Sequence, residues 1–133
     1  PIASPGCGRV WATAITPGGR VVGQATTADG ETHGFLWEDG ATLDLGTLDS
    51  GRSEALGAND RRVVVGRVVG ATGRRAFRWT PETGITLLEE CVAAPHGWAL
   101  HEAVAINQSG WIAGIGSRHG QPRGFLLEPL AGG

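Results

Sequence analysis

Among side chains that bind metal most readily, this sequence holds His96, His101 and His119 together with two cysteines, Cys7 and Cys91. The histidines are spaced by five and eighteen residues, which completes no standard zinc pattern of paired ligands. No metal is therefore expected. Glu89, Glu90 and Glu102 are the carboxylates that would serve glycoside hydrolysis, which needs two carboxyl groups about 5–10 Å apart. As charges at strand ends they read more simply as solvated. Ser109 and Ser117 stand near His119, but neither lies in a G-x-S-x-G elbow. No glycine-rich run leads into Lys-Ser or Lys-Thr, so a phosphate loop is absent from the sequence. Asp29, Asp39, Asp49 and Asp60 sit in turn-like segments without the spacing of a calcium loop. No cofactor follows from these residues, and the chain reads as non-catalytic.

Trp98 and Trp111 carry more promise. They do not recur where the other tryptophans recur, so packing between repeats does not account for them. With Arg118, His119 and Arg123 they form an aromatic and basic set suited to stacking on a sugar ring and hydrogen-bonding it. These five residues are the expected ligand-binding set. The competing reading is that both indoles fill a core widened by an insertion.

The elements that would position these groups come from a repeat. Gly23, Gly66 and Gly114 end the triplets VVG, VVG and IAG. They recur at intervals of about 43 and about 48 residues, within the range of about 40–50 that marks a propeller, a solenoid or an array. Phe35, Phe77 and Phe125 follow in step with them. Within the second copy, apolar bursts at 55–58, 63–69, 76–79 and 85–88 alternate with turn residues. Val63, Val64 and Val65 are β-branched and apolar in succession, the mark of a strand covered on both faces. The expected fold is all-β: three propeller-type blades of about four antiparallel strands each. Phe35, Trp37, Phe77, Trp79 and Phe125 recur at equivalent positions and are assigned to the core between blades.

The pattern A-x-x-I-N-x-x-G-x-[VI]-[VA]-G, a glycine-rich turn, [HR]-[AG]-F-L-W and D-L-G-T-L resembles the HAF repeat. Gly34-Phe35-Leu36-Trp37, Asp44-Leu45-Gly46-Thr47-Leu48 and Ala105-Ile106-Asn107 carry the resemblance most specifically. Two departures are visible. Thr16 replaces the asparagine in the first copy, and Leu127 replaces the tryptophan in the third. The resemblance implies an extracellular or cell-surface bacterial protein, and it implies no activity for particular residues. In that setting Cys7 and Cys91, which flank the first two copies, are candidates for a disulfide. Such a bridge closes a long loop and would stabilise the fold by roughly 4 kcal/mol. Two separate buried thiols are the alternative.

Net charge is −2 and the basic residues are all arginine, so neither nucleic acid nor an anionic membrane is an expected partner. No apolar run approaches the roughly 18 residues that span a bilayer. The organisation expected is an arm at 1–9, blades at 10–48 and 53–88, an irregular insertion at 89–98, and an incomplete blade at 99–129. Three blades are too few for a ring, which usually needs about 4–8. An open stack would expose apolar faces at Phe35 and Phe125 and leave one unpaired edge. A second copy docked head to tail, its arm at 1–9 supplying the missing strand, would close a six-bladed ring; a rotation that fails to close would give a filament. The other expectation is that the chain is an excerpt of a longer array. Two functions from different classes remain: a structural or assembly module, and a carbohydrate-binding module.

Overall fold

Glycine and proline punctuate the chain so often that no apolar segment runs long enough to do more than cross one sheet once. The computed structural model describes residues 10–26, 30–47, 51–70, 73–91 and 97–128. The first sheet is formed by β1 (Val10–Ile15), β2 (Val21–Thr26), β3 (Thr32–Glu38) and β4 (Ala41–Gly46). The second is formed by β5 (Arg52–Ala58), β6 (Val64–Gly70), β7 (Gly73–Thr80) and β8 (Gly84–Leu87). A short helix, α1 (Leu88–Cys91), follows it. The third sheet contains β9 (Trp98–Ile106), β10 (Ile112–Arg118) and β11 (Gln121–Leu127). The fold is thus all-β, with antiparallel sheets of four, four and three strands, each an up-and-down meander in sequence order. The sheets do not close into a ring.

The first strand of each sheet carries the same irregularity. Ala12 pairs with Gly23 and Ala14 with Val22, leaving Thr13 bulged. Ala55 pairs with Gly66 and Gly57 with Val65, which bulges Leu56. Ala103 pairs with Gly114 and Ala105 with Ala113, which bulges Val104. The bulge turns a backbone carbonyl under the facing glycine. A Cβ added at Gly23, Gly66 or Gly114 would lie 1.8, 2.0 or 2.2 Å from the carbonyl oxygen of Trp11, Glu54 or Glu102. At Gly66 and Gly114 it would also strike the ring of Phe77 or Phe125, at 2.9 and 2.4 Å. Close approach, not positive φ, explains the glycine that defines the repeat.

The sheets stack face to face through two apolar seams. Between the first and second sheets lie Val22, Leu36 and Leu45 on one side and Val64, Val68, Phe77, Trp79 and Leu87 on the other. Between the second and third lie Val65, Ala76 and Leu88 against Leu100, Ala103 and Ile112, with Phe125 and Leu127 packed alongside. The leading strand of each sheet lies against the three inner strands of the sheet before it: β5 on β1, β2 and β3, and β9 on β5, β6 and β7. One stacking operation is used twice.

Two differences from expectation stand out. Phe35 is fully buried, and Phe125 is half-buried against the second seam, so neither is an exposed face. The most exposed large apolar side chains among the described residues are instead Trp11 (44%) and Ile15 (71%) on β1, with Ile115 (49%) and Leu126 (63%) on the third sheet. The irregular insertion expected from residue 89 begins inside α1, where Leu88 is buried and Glu89 accepts the backbone N–H of Leu100 at 2.8 Å. Residues 1–9 with Cys7, Asp29, Asp49, His96 and the side chain of Cys91 lie outside the described residues, as does any disulfide between Cys7 and Cys91.

Candidate functional site: the polar seams and their open end

At one end of the stack the first hairpin turn of each sheet is built alike. Asn59 closes its turn by accepting the N–H groups of Arg61 and Val63 at 3.0 and 3.2 Å on its side-chain oxygen. Asn107 does the same with Ser109 and Trp111, at 3.0 and 2.9 Å. Thr16 holds the equivalent place, its hydroxyl accepting the N–H of Arg20 at 3.1 Å. These are the local side-chain turns for which asparagine and threonine are chosen.

The turns also bond to one another across the seams. The Thr16 hydroxyl donates to the Asp60 carboxylate, which also accepts the Gly18 N–H at 2.9 Å. One seam further on, Asn59 Nδ2 donates to the Asn107 carbonyl at 3.1 Å, and the Asp60 N–H donates to Gln108 Oε1 at 2.9 Å. The Thr16 hydrogen bond lowers the Asp60 pKa from the ordinary 3.8; partial burial opposes the shift, and the Gly18 N–H and Arg20 add to it. Arg20 bridges Glu38 at 2.8 Å and Asp60 at 3.3 Å, and Arg62 reaches Glu38 at 2.7 Å. The hydrogen bond to Glu38 chiefly raises the Arg20 pKa against partial desolvation, and Asp60 contributes further.

A second ladder joins the second strand of one sheet to the leading strand of the next. Gln24 of the first sheet donates to Glu54 of the second at 3.3 Å. Arg67 then binds Glu54 within its own sheet and Glu102 of the third sheet at 3.1 Å. Arg74 also reaches Glu102, at 2.8 Å. Burial pulls the Arg67 pKa down, but hydrogen bonding and charge from Glu54 and Glu102 outweigh it, so the guanidinium stays charged. A buried carboxylate such as Glu54 needs this pairing, because losing one partner would strand a charge out of water. Glu102 is therefore engaged by two arginines, and Glu89 by Arg75 at 3.3 Å.

The sequence-derived ligand set does not assemble in one place. β10 pairs Arg118 with Trp98 at one end and Ile112 with Ile106 at the other, where Trp111 lies. Six residues of strand put these ends about 20 Å apart. Trp98 is half-buried against the second seam, whereas Trp111 is exposed. His119 sits beside Trp98 in the β10–β11 turn, where its N–H donates to the Gly97 carbonyl at 2.8 Å. Arg118 and Arg123 are exposed at the same end, and Arg123 bonds the neighbouring Pro122 carbonyl at 3.1 Å. Ser117 meets His101 at 3.2 Å. His101 Nδ1 faces the Arg74 carbonyl at 3.2 Å, and because a carbonyl only accepts, Nδ1 is the donor there. Of the remaining core assignments, Phe77 and Trp79 lie in the first seam and Trp37 is half-buried. Trp37 also borders a shallow groove of about 260 Å³ with Gly18, Gly19, Arg20, Glu38 and Asp39.

Sequence reasoning missed Gln24, Glu54 and Arg67, and it placed Asp60 in a turn without its partners across the seam. A usable signal was present. Superimposing the repeats on their glycines aligns Trp11, Glu54 and Glu102 in one column and Gln24, Arg67 and Ile115 in another. Among the described residues, no group of three or more His, Cys, Asp or Glu is placed to hold a metal, and no helix is long and apolar enough to cross a membrane. No family model, curated protein or solved structure matches the chain.

Proposed function

We propose that this chain is a non-catalytic structural module whose three sheets are propeller-type blades, and that it works by associating head to tail with further copies of itself. The observation that carries this reading is the equivalence of the two seams. Val22 and Val65, Gln24 and Arg67, Val64 and Ile112, Phe77 and Phe125 hold matching places in them. The outer face of the third sheet continues the series with Ala113, Ile115 and Leu126, and the latter two are exposed. Apolar side chains at positions that are seams elsewhere in the same fold favour a further sheet. An extracellular, cell-surface setting rests on the resemblance to HAF repeats. Sedimentation equilibrium at micromolar concentration tests the proposal. A particle of twice the 13.7 kDa chain mass, or larger, supports it, and a mass that stays at one chain at every concentration overturns it.

One observation favours a second reading, carbohydrate binding. The groove beside Trp37 sets a half-buried indole next to Arg20, Glu38 and Asp39, a pairing of aromatic face and planar polar groups that suits a sugar ring. Glycan binding that vanishes in Trp37→Ala and survives in Trp111→Ala would favour it. Binding lost in Trp98→Ala would instead return the site to the Trp98, Arg118 and His119 end of the third sheet.

A further inference from the structure

The polar ladder through the stack has two ends, and the chemistry of those ends matches. At its inner steps, a residue on the second strand of one sheet meets a residue on the leading strand of the next. Gln24 meets Glu54 at 3.3 Å, and Arg67 meets Glu102 at 3.1 Å. The register makes Ile115 the third member of the first series, because it pairs with Glu102 as Arg67 pairs with Glu54 and Gln24 with Trp11. By the same register, Trp11 is the member of the second series that precedes Glu54. Where both partners lie within the chain, they are polar. Where no such partner stands among the described residues, both are large, apolar and exposed, Trp11 at 44% and Ile115 at 49%.

From this we infer that Trp11 of a second copy seats on Ile115, so that β1 of one chain packs across β9, β10 and β11 of another. This specifies the contact within the head-to-tail association proposed above, and rests on that reading. The inner seams show what such a contact needs. The leading strand of a sheet lies on the three inner strands of the sheet before it, and the third sheet possesses all three. Docking therefore requires no fourth strand. On the approaching copy the contact centres on β1, because Ala25 and Phe35 behind it are already fully buried. Leu126, 63% exposed on the outer side of β11, occupies the position held by Leu36 in the first seam and extends the apolar surface. The turns bear on the same register. Asn59 Nδ2 donates to the carbonyl of Asn107. The equivalent acceptor for Asn107 is the Thr16 carbonyl of the second copy.

The partner is a second copy of this chain rather than an unrelated protein, since the side chain that complements Ile115 is one the chain itself presents. An acidic residue in the incoming position, as at Glu54 and Glu102, would be stranded against isoleucine.

A charge-exchange series tests the register, read by sedimentation velocity across 1–100 μM (roughly the range in which such contacts are resolved). Trp11→Glu should weaken association at least about tenfold by setting an unpaired carboxylate on Ile115. Adding Ile115→Arg to that variant should recover it, because the pair then reproduces Glu102 and Arg67. Both positions are exposed in the single chain, so at concentrations where the wild type is monomeric each variant should unfold at the wild-type temperature, which separates a lost contact from a lost fold. Association that is untouched by Trp11→Glu, or lost and not recovered by the added arginine, overturns this register and leaves the assembly reading standing. A wild-type chain that stays monomeric overturns both.

Discussion

Gly66→Ala is a one-carbon change that the fold should not tolerate. The new Cβ would lie 2.0 Å from the Glu54 carbonyl oxygen, 3.0 Å from its carbon and 2.9 Å from Phe77 Cε2. The ring has some freedom to turn, but the carbonyl has little. It belongs to the backbone just before the bulge at Leu56, and that bulge fixes how β5 faces both neighbouring sheets. Overpacking a filled interior costs roughly 1–3 kcal/mol, and a backbone clash lies at the upper end of that range. For a domain of this size each kcal/mol lowers the melting temperature by roughly 3–5 °C, so a fall of about 10 °C is expected. Gly70→Ala is the control, because a Cβ there meets nothing within 4 Å. It should be neutral or stabilise by up to about 1 kcal/mol through the unfolded chain. Thermal unfolding followed by far-UV circular dichroism reads both. Pairing Gly66→Ala with Phe77→Leu separates the two clashes, since the smaller side chain relieves only the ring. If Gly66→Ala melts with the wild type, the carbonyl does not lie under that glycine and the account of the repeat motif is wrong.

Phe77→Ala, which empties a fully buried position in the first seam, should destabilise by roughly 3–5 kcal/mol in urea unfolding. Asp60 has a folded pKa below 3.8, so its contribution is present above that value and is lost as pH falls through the lower folded one. Asp60→Asn should therefore flatten the acid limb of the stability profile below about pH 4 while leaving its shape near neutrality unchanged. For the cysteines, non-reducing mass spectrometry of the native protein should find Cys7 joined to Cys91 and no alkylatable thiol; two free thiols would remove the disulfide and weaken the extracellular setting.

The all-β class and the division into three sheets were legible because turn chemistry and spacing are local properties. Val10–Ile15 could be read directly, since Arg9 and Thr16-Pro17 bound a β-prone run that begins with Val10-Trp11. The helix at Leu88–Cys91 was not legible: four residues carry no period, and its order rests on Leu88 packing and on Glu89 bonding Leu100 eleven residues away. The bulges were hidden for a similar reason. Thr13, Leu56 and Val104 have no one side-chain property common to all three that marks a bulge, and the trace they leave in the sequence is the glycine on the facing strand. Nearness in sequence misled at the candidate site. Trp111 and Arg118 are close along the chain, yet a strand extends about 3.3 Å per residue and carries them to opposite ends of a sheet. The opposite error hid the ladder. Gln24, Glu54 and Glu102 are far apart in sequence, and stacking brings them into one line.

Small-angle scattering of the associated species tests the central claim most directly. Two chains closed into one compact body should give a radius of gyration of about 18 Å, independent of concentration, where a single compact chain gives about 14 Å. A value that stays at the single-chain figure at every concentration would contradict self-association, and one that climbs without limit would replace the ring with a filament.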